Sequence, residues 1–449
     1  MILKSNIQRL FYPVLLLIFS GSMAFLFPSI MYVDDYFFFG LKSIGSPITT
    51  IMRISETNTP AYSVYLLFWI LSSFFWGLPI ESYLHLMSFL IWAVIAYSLF
   101  RFAGEVAKNH KTLFVGIFLI IFLTDRPSNQ NVFWSTQAIG SYIQHLLPVL
   151  ILLNWVMFRA KNNKKINIIR DCIYCTLLFG FPGEILICTL LYILYLYFRK
   201  KSHDTHLLIL STLGVLIVIL NLFSSGGKNR AAELNRPKNF EELFNRILTF
   251  YKFLLLDNFT FVLLCIALGF LLASFLNFRF NHSTLLNCTV LLSALIIALS
   301  AVCASAYQST YHFIGINFLI QALSMACGTK IASRLYLNRG FNLKKSERRP
   351  KNLFILLSLP IVLFVSFTLP QKVDWLYNQS HSFLIYSKML LDNEAQNVKF
   401  KVYNFEDSSK LGVIGPNIPN WETYGLASLD FVEFGVEEAI SVINKRSHL

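Results

Sequence analysis

Charge is scarce in this chain. Only 14% of its 449 residues are Asp, Glu, Lys or Arg, whereas soluble domains carry roughly a quarter. That shortage excludes an ordinary water-soluble domain. Acidic residues are the scarcer sign, 24 against 38 Lys and Arg, for a formal net charge of +14. Metal-type cysteine spacing is absent as well. The seven cysteines (Cys172, Cys175, Cys188, Cys265, Cys288, Cys303, Cys327) all fall in apolar segments. Cys172-x-x-Cys175 has neither a second pair nor nearby histidines, which argues against zinc or thiol redox chemistry. No internal repeat and no low-complexity tract occurs. A removable leader is not expected either: Leu10–Ile30 is too long, and no small-residue cleavage site follows it.

Long apolar runs are what the chain has in plenty. It is 55% hydrophobic and 16% aromatic, with a mean hydropathy of +0.57. Runs near or above 17–20 residues recur, each long enough to cross about 30 Å of hydrocarbon. The expected fold class is a polytopic α-helical membrane protein. Its basic residues cluster in short segments between apolar runs, the pattern of cytoplasmic loops and not of a nucleic-acid-binding face.

Orientation follows from those clusters. With Lys4 and Arg9 in the cytoplasm, Leu10–Ile30 is the first span and the stretch from Met31 emerges outside. Ala61–Pro79 is apolar, but letting it span would put the basic Arg159–Arg170 segment outside. It is therefore expected to lie on or dip into the outer face, and Tyr83–Arg101 is the second span. Lys111–Thr124, Ala138–Phe158, Asp171–Phe181, Glu184–Phe198, His206–Phe223, Asn258–Leu276, Leu285–Ala306, Tyr311–Gly328 and Leu353–Leu369 then alternate, making eleven spans. A partly amphipathic Phe240–Asp257 ends the outer loop after the seventh. In this arrangement 22 of the 38 Lys and Arg are cytoplasmic, and 20 of the 24 acidic residues are outside. The rule concerns Lys and Arg, so the first count decides.

Residues 1–370 thus form a transmembrane unit, and 371–449 an outer tail of different character. The tail has 7 basic and 10 acidic residues, an alternating Val398–Phe405 run and turn residues around Gly415-Pro416, which predict a small α/β domain.

Several residues stand out chemically. Asp34 and Asp35 sit between aromatic and aliphatic neighbours in Met31-Tyr32-Val33-Asp34-Asp35-Tyr36-Phe37-Phe38-Phe39-Gly40. Carboxylates are costly beside hydrocarbon, so their presence points to function or to a solvated loop end. Arg53 follows in the same first loop. Glu184 lies in Phe179-Gly180-Phe181-Pro182-Gly183-Glu184, where Gly and Pro interrupt a membrane segment. Such breaks are tolerated where protein or a water-lined cavity surrounds them, so Glu184 either turns toward a cavity or tips a simple turn. Lys228, Arg230 and Arg236 belong to a Gly- and Lys/Arg-rich loop beginning Ser224-Ser225-Gly226-Gly227, suited to a lipid phosphate or simply basic and flexible. Tyr307, Tyr311 and His312 make a polar aromatic turn able to stack on a sugar or to sit in an interfacial belt. His85 and His145 stand alone in apolar segments and are expected to pack against, or hydrogen-bond to, a neighbouring helix.

Val33-Asp34-Asp35-Tyr36, Phe181-Pro182-Gly183-Glu184, the Gly226–Arg230 loop, Asn420-Trp421-Glu422-Thr423-Tyr424-Gly425 and Phe434-Gly435-Val436, in a layout of this kind, resemble the GT-C superfamily of polytopic glycosyltransferases. Bacterial enzymes that decorate O-antigen and other envelope glycans, the serotype-converting glucosyltransferase type, are the nearest likeness. The resemblance implies transfer, with inversion, of a sugar from a polyprenyl-phosphate donor, normally undecaprenyl phosphate. The acceptor would be an envelope glycan such as that of lipopolysaccharide, at the periplasmic face of the bacterial inner membrane. It implies for Asp34 the role of general base or acceptor-orienting group, with Asp35 as its partner. Beside these, Glu184 is a further catalytic candidate, Arg53, Lys228, Arg230 and Arg236 are candidates for holding the donor phosphate, and Tyr307, Tyr311 and His312 for contacting sugar or acceptor. Some relatives use a divalent metal and others none, so the cofactor stays open. Asp-Asp replaces the Asp-Glu of lipid A-modifying members, so their substrate is not carried over. A Wzy-type O-antigen polymerase and a lipid-linked-sugar flippase or transporter are the alternatives.

Overall fold

The computed structural model describes residues 2–29, 46–57, 61–74, 80–106, 111–124, 139–159, 164–199, 205–224, 228, 237–275, 282–305, 313–338 and 370. Among these residues the regular structure is entirely helical, with no strand. The expected span at Leu353–Leu369 and the α/β tail at 371–449 lie outside them.

The helices in chain order are α1 (Ile2–Leu26), α2 (Pro47–Thr57), α3 (Tyr62–Phe74), α4 (Ile80–Val106) and α5 (Lys111–Thr124). A π turn at Tyr142–Leu146 leads into α6 (Leu147–Arg159), followed by α7 (Lys164–Leu178), α8 (Gly183–Arg199) and α9 (Thr205–Phe223). Then come α10 (Phe240–Lys252), a second π turn at Phe253–Asp257, α11 (Phe259–Phe275), α12 (His282–Ser305) and α13 (Ile314–Asn338).

Among the described residues, five helical runs are long and apolar enough to cross a membrane: Ser82–Glu105, Thr205–Phe223, Phe240–Ala273, Ser283–Ala304 and Ile314–Arg334. Pro13–Leu26, Tyr62–Phe74 and Tyr142–Phe158 are shorter apolar helices. Where α9 meets its surroundings it is greasy nearly all round, with Leu208, Ile209, Leu213, Val215, Leu216, Ile219, Leu220, Leu222 and Phe223 exposed. Such a surface would be an aggregation patch in water but suits lipid. The run Phe240–Ala273 is 34 residues, or about 51 Å at 1.5 Å per residue. That exceeds the hydrocarbon thickness, so the first turns of α10 project beyond it.

Packing explains the order of the helices. In hydrocarbon, helices gain little from burying apolar surface and associate through close contact at small residues. The α11–α13 pair shows this most clearly. A Cβ on Gly269 would sit 2.0 Å from the Met325 carbonyl oxygen, and one on Gly328 would sit 2.1 Å from that of Ile266. The two glycines allow backbone to meet backbone, with Cys265, Ala326 and Thr329 buried along the seam.

Polar bonds then fix which ends lie together. Helices α1 and α4 are antiparallel: Ser29 N–H donates to the Leu84 carbonyl at 3.1 Å, and Ser88 Oγ to Phe27 O at 2.6 Å. His85 Nδ1 lies 2.7 Å from the Ala24 carbonyl, the bond to a neighbouring helix that its setting predicts. Helix α4 runs on beside α6 in the same direction, since Asn154 Nδ2 donates to Ser98 Oγ at 2.9 Å and Arg101 lies over the Phe158 ring. The start of α4, the end of α1 and the π turn before α6 therefore share one end of the bundle.

Helix α3 begins at that same end. Its first residues cap α7, whose last carbonyls lack intrahelical donors. Ser63 N–H donates to Gly180 O at 3.0 Å, Ser63 Oγ to Leu177 O at 2.6 Å, and Tyr62 Oη to Thr176 O at 2.6 Å. Only glycine fits at 180, because a Cβ there would sit 2.2 Å from Ser63 Oγ. The thirteen described residues of α3 measure about 20 Å; residues 75–79, the rest of the expected Ala61–Pro79 segment, lie outside the described residues.

Candidate functional site

The α7–α8 turn brings a carboxylate inward. Phe179, Gly180 and Phe181 close it through N–H bonds back to Cys175, Leu177 and Leu178 carbonyls, and the Pro182 carbonyl accepts from Ile185 and Leu186. Glu184 thereby enters the first turn of α8, where the unpaired N–H groups favour negative charge. The segment is a tight helix–turn–helix, and the Glu184 side chain is turned inward, 6% exposed, and does not form an exposed charged tip.

Its partner is His145. The imidazole Nδ1 stands 3.1 Å from Glu184 Oε1, with the two side chains 4% and 8% exposed. His145 occupies the π turn Tyr142–Leu146, and turns of this kind often mark functional positions because the extra residue re-aims a side chain. A carboxylate this deep is tolerated only when paired; removing one partner of a buried pair costs about 3–5 kcal/mol.

More polar atoms line the same end. Tyr142, on the same turn, is buried and its hydroxyl has no hydrogen-bond partner, nor does Asn317 Oδ1 in the first turn of α13. The α13 helix reaches the π turn because position 315 is glycine; a Cβ there would be 2.5 Å from the His145 carbonyl. Cys303, near the end of α12, lies within electrostatic range of Glu184. The buried hydroxyl and amide oxygen, left without partners near the His145–Glu184 pair, are what a polar ligand or water would satisfy.

At the opposite end a second buried carboxylate is fully sealed. Asp171 Oδ1 accepts from Trp155 Nε1 at 2.8 Å, and His206 Nε2 lies 3.1 Å from Oδ2. Both oxygens are occupied, so this cluster ties α6, α7 and α9 together. Arg199 Nη1 donates to Asn287 Oδ1 across 88 residues, joining α8 to α12.

Of the ten candidate site residues named from the sequence, the described structure contains three. Glu184 is buried with His145. Lys228 is exposed, and its N–H donates to Ser224 O at 2.9 Å. It follows α9, which starts beside Asp171 and ends toward the Glu184 end, since Gly214 lies against Phe179 and Leu190. Arg53 belongs to α2, whose start is capped by Ser46. Asp34, Asp35, Arg230, Arg236, Tyr307, Tyr311 and His312 lie outside the described residues. Tyr142, Asn317 and the His145 pairing were missed by sequence reasoning. A lone histidine flanked by apolar residues and a Pro-Gly-Glu turn 39 positions later are the only signals they leave.

Among the described residues no three His, Cys, Asp or Glu side chains converge as a metal-ligand set. No protein-family model, no curated protein and no solved structure matches the chain.

Proposed function

We propose that this protein is a polytopic glycosyltransferase of the GT-C kind. In this reading it moves a sugar from a polyprenyl-phosphate donor to an envelope glycan such as O-antigen, at the periplasmic face of a bacterial inner membrane. The observation that carries the reading is the gathering at one end of the bundle. The buried His145–Glu184 pair, with unpartnered Tyr142 and Asn317 oxygens, lies at the end where α1 finishes. Ser29, the last described residue before Asp34-Asp35, is fully buried there, and five residues of chain span at most about 18 Å. Helix α9, which Lys228 follows, ends on the same side.

The chemistry asks for this division of labour. A sugar hydroxyl is a poor nucleophile until a carboxylate takes its proton, the role given to Asp34 with Asp35 beside it. The departing phosphate gains negative charge and needs cations, which Lys228, Arg230, Arg236 and Arg53 would supply. Glu184, held by His145, would accept hydroxyl hydrogen bonds from the sugar or acceptor, and Tyr307, Tyr311 and His312 would line the aromatic side. The eleven-span arrangement, with the amino terminus in the cytoplasm and residues 371–449 outside, belongs to this proposal.

One observation favours a different reading. Buried carboxylates paired with histidines at both ends of a helical bundle suit a lipid-linked-sugar transporter, where intramembrane ionisable groups mark a pathway. Mass spectrometry of surface glycans from cells with and without the protein tests both. Loss of one side-branch sugar, not restored by D34N/D35N, supports transfer. Shortened chains of unchanged branch composition would favour polymerisation, and accumulation of undecorated lipid-linked sugar in the inner leaflet would favour transport.

A further inference from the structure

Away from the proposed reaction centre, two guanidinium groups share one aromatic ring. Arg101 Cζ of α4 stands 3.7 Å from the centre of the Phe158 ring, and Arg170 Cζ of α7 stands 4.8 Å from it. Like charges gathered on one ring repel unless an anion lies between or beside them. No carboxylate pairs with either guanidinium among the described residues. Arg101 donates only to the neighbouring Tyr97 hydroxyl, at 3.3 Å. Arg170 Nη1 is buried with no hydrogen-bond partner at all. A buried guanidinium nitrogen without an acceptor is a costly arrangement in a protein, and it is relieved by an anion with several acceptor oxygens.

The frame that holds the two arginines is rigid. Phe158 packs against the Tyr174 ring at 6.4 Å, and Tyr174 stacks on Trp155. Trp155 is bonded to the sealed Asp171, the residue after Arg170. The cation pair is therefore built on the same scaffold as the buried cluster at the end opposite Glu184. Around it the surface is apolar and open: Ile169 and Ile173 of α7 are 65% and 63% exposed, and Tyr97 of α4 is 49% exposed. Phosphate alone would not need those flanking isoleucines; a phosphate carrying acyl chains would.

We infer that Arg101 and Arg170, bracketing Phe158, form a binding site for the phosphate of an anionic membrane phospholipid. Its acyl chains would lie along Ile169 and Ile173. Paired guanidiniums suit phosphate because their N–H groups present parallel donors to its oxygens. Basic pockets between membrane helices on the side rich in Lys and Arg are places where anionic headgroups collect. The site stands independently of the proposed sugar transfer, and none of its residues belongs to that machinery.

The test is native mass spectrometry of the full-length protein in detergent, titrated with phosphatidylglycerol, phosphatidylethanolamine and inorganic phosphate. The wild type should retain one phosphatidylglycerol in preference to phosphatidylethanolamine. R101Q/R170Q should bind it at least about tenfold more weakly, whereas K238Q/K252Q, which removes equal charge elsewhere, should not. R170Q alone keeps the measurement open should the double variant fail to fold, and should weaken retention several-fold. Unchanged phosphatidylglycerol retention in a folded R170Q or R101Q/R170Q protein would overturn the site. Displacement of the lipid by inorganic phosphate at equal concentration would assign the site to free phosphate and overturn the lipid assignment.

Discussion

Breaking the His145–Glu184 pair in a double-mutant cycle gives a number that separates two physical pictures. The contact, 3.1 Å between Nδ1 and Oε1 with both side chains nearly inaccessible, is either an ordinary hydrogen bond or a buried ion pair. Hydrogen bonds between membrane helices couple by about 0.6 kcal/mol on average and at most about 1.7. A buried charged pair loses about 3–5 kcal/mol when one partner alone is removed, yet tolerates joint replacement by apolar groups. Screening by solvent does not reduce the difference at this burial. His145→Leu and Glu184→Leu should each therefore destabilise by several kcal/mol, and His145→Leu/Glu184→Leu by much less than their sum. The expected coupling exceeds about 2 kcal/mol, read by reversible unfolding in bicelles or by steric trapping. A coupling near 0.6 kcal/mol, with Glu184→Gln as stable as wild type, would refute the idea that an ionised carboxylate is held there.

The glycine seam makes a second prediction. Gly269→Leu or Gly328→Leu forces side-chain atoms into backbone about 2 Å away. Either should lower the unfolding temperature by several degrees or abolish folding, whereas Gly116→Leu, with open space around it, should not. Gly180→Ala should unseat the start of α3, and faster amide exchange at Ser63 would show it. At the start of α10, Asn239 caps the Glu242 N–H, and the Glu242 carboxylate accepts from Lys238 N–H and Arg246. Those bonds hold the exposed carboxyl below its ordinary pKa, the Lys238 backbone bond contributing most. The cap should thus be intact throughout the ordinary carboxylate range and above, and be lost as pH falls beneath it. Asn239→Ala should loosen the first turn at any pH, by about 1 kcal/mol, and amide exchange at Glu242 reports both.

Much of the helical framework was legible because apolar runs of membrane length leave few alternatives. The interruption at Phe179-Gly180-Phe181-Pro182 was legible for the same reason, since Gly and Pro rarely share a continuous span. Within Ala61–Pro79, which charge placement argues against as a span, the described helix covers Tyr62–Phe74, and residues 75–79 lie outside the described residues. Less visible was where α7 begins. The segment expected from Asp171 starts as helix at Lys164. Arg170, within that added stretch, lies over the Phe158 ring, showing that a basic residue can belong to such a helix while its stem covers apolar surface. The pairings were not legible at all. His145 meets Glu184 across 39 residues, and Asp171 meets Trp155 and His206 across 16 and 35. No periodicity encodes such contacts; they depend on which helices become neighbours, and that depends on close approaches such as Gly315 and Gly180 allow.

The account's central claim is that acid–base and cationic residues at the Glu184 end act together on a lipid-linked sugar. Its most direct measurement is release of polyprenyl phosphate from a polyprenyl-phosphate sugar by the purified protein supplied with native envelope glycan. Wild type should turn the donor over, D34N or D35N should abolish or nearly abolish release, and E184Q, less stable than wild type, should slow it per folded molecule. Equal release by wild type and D34N/D35N would contradict the claim.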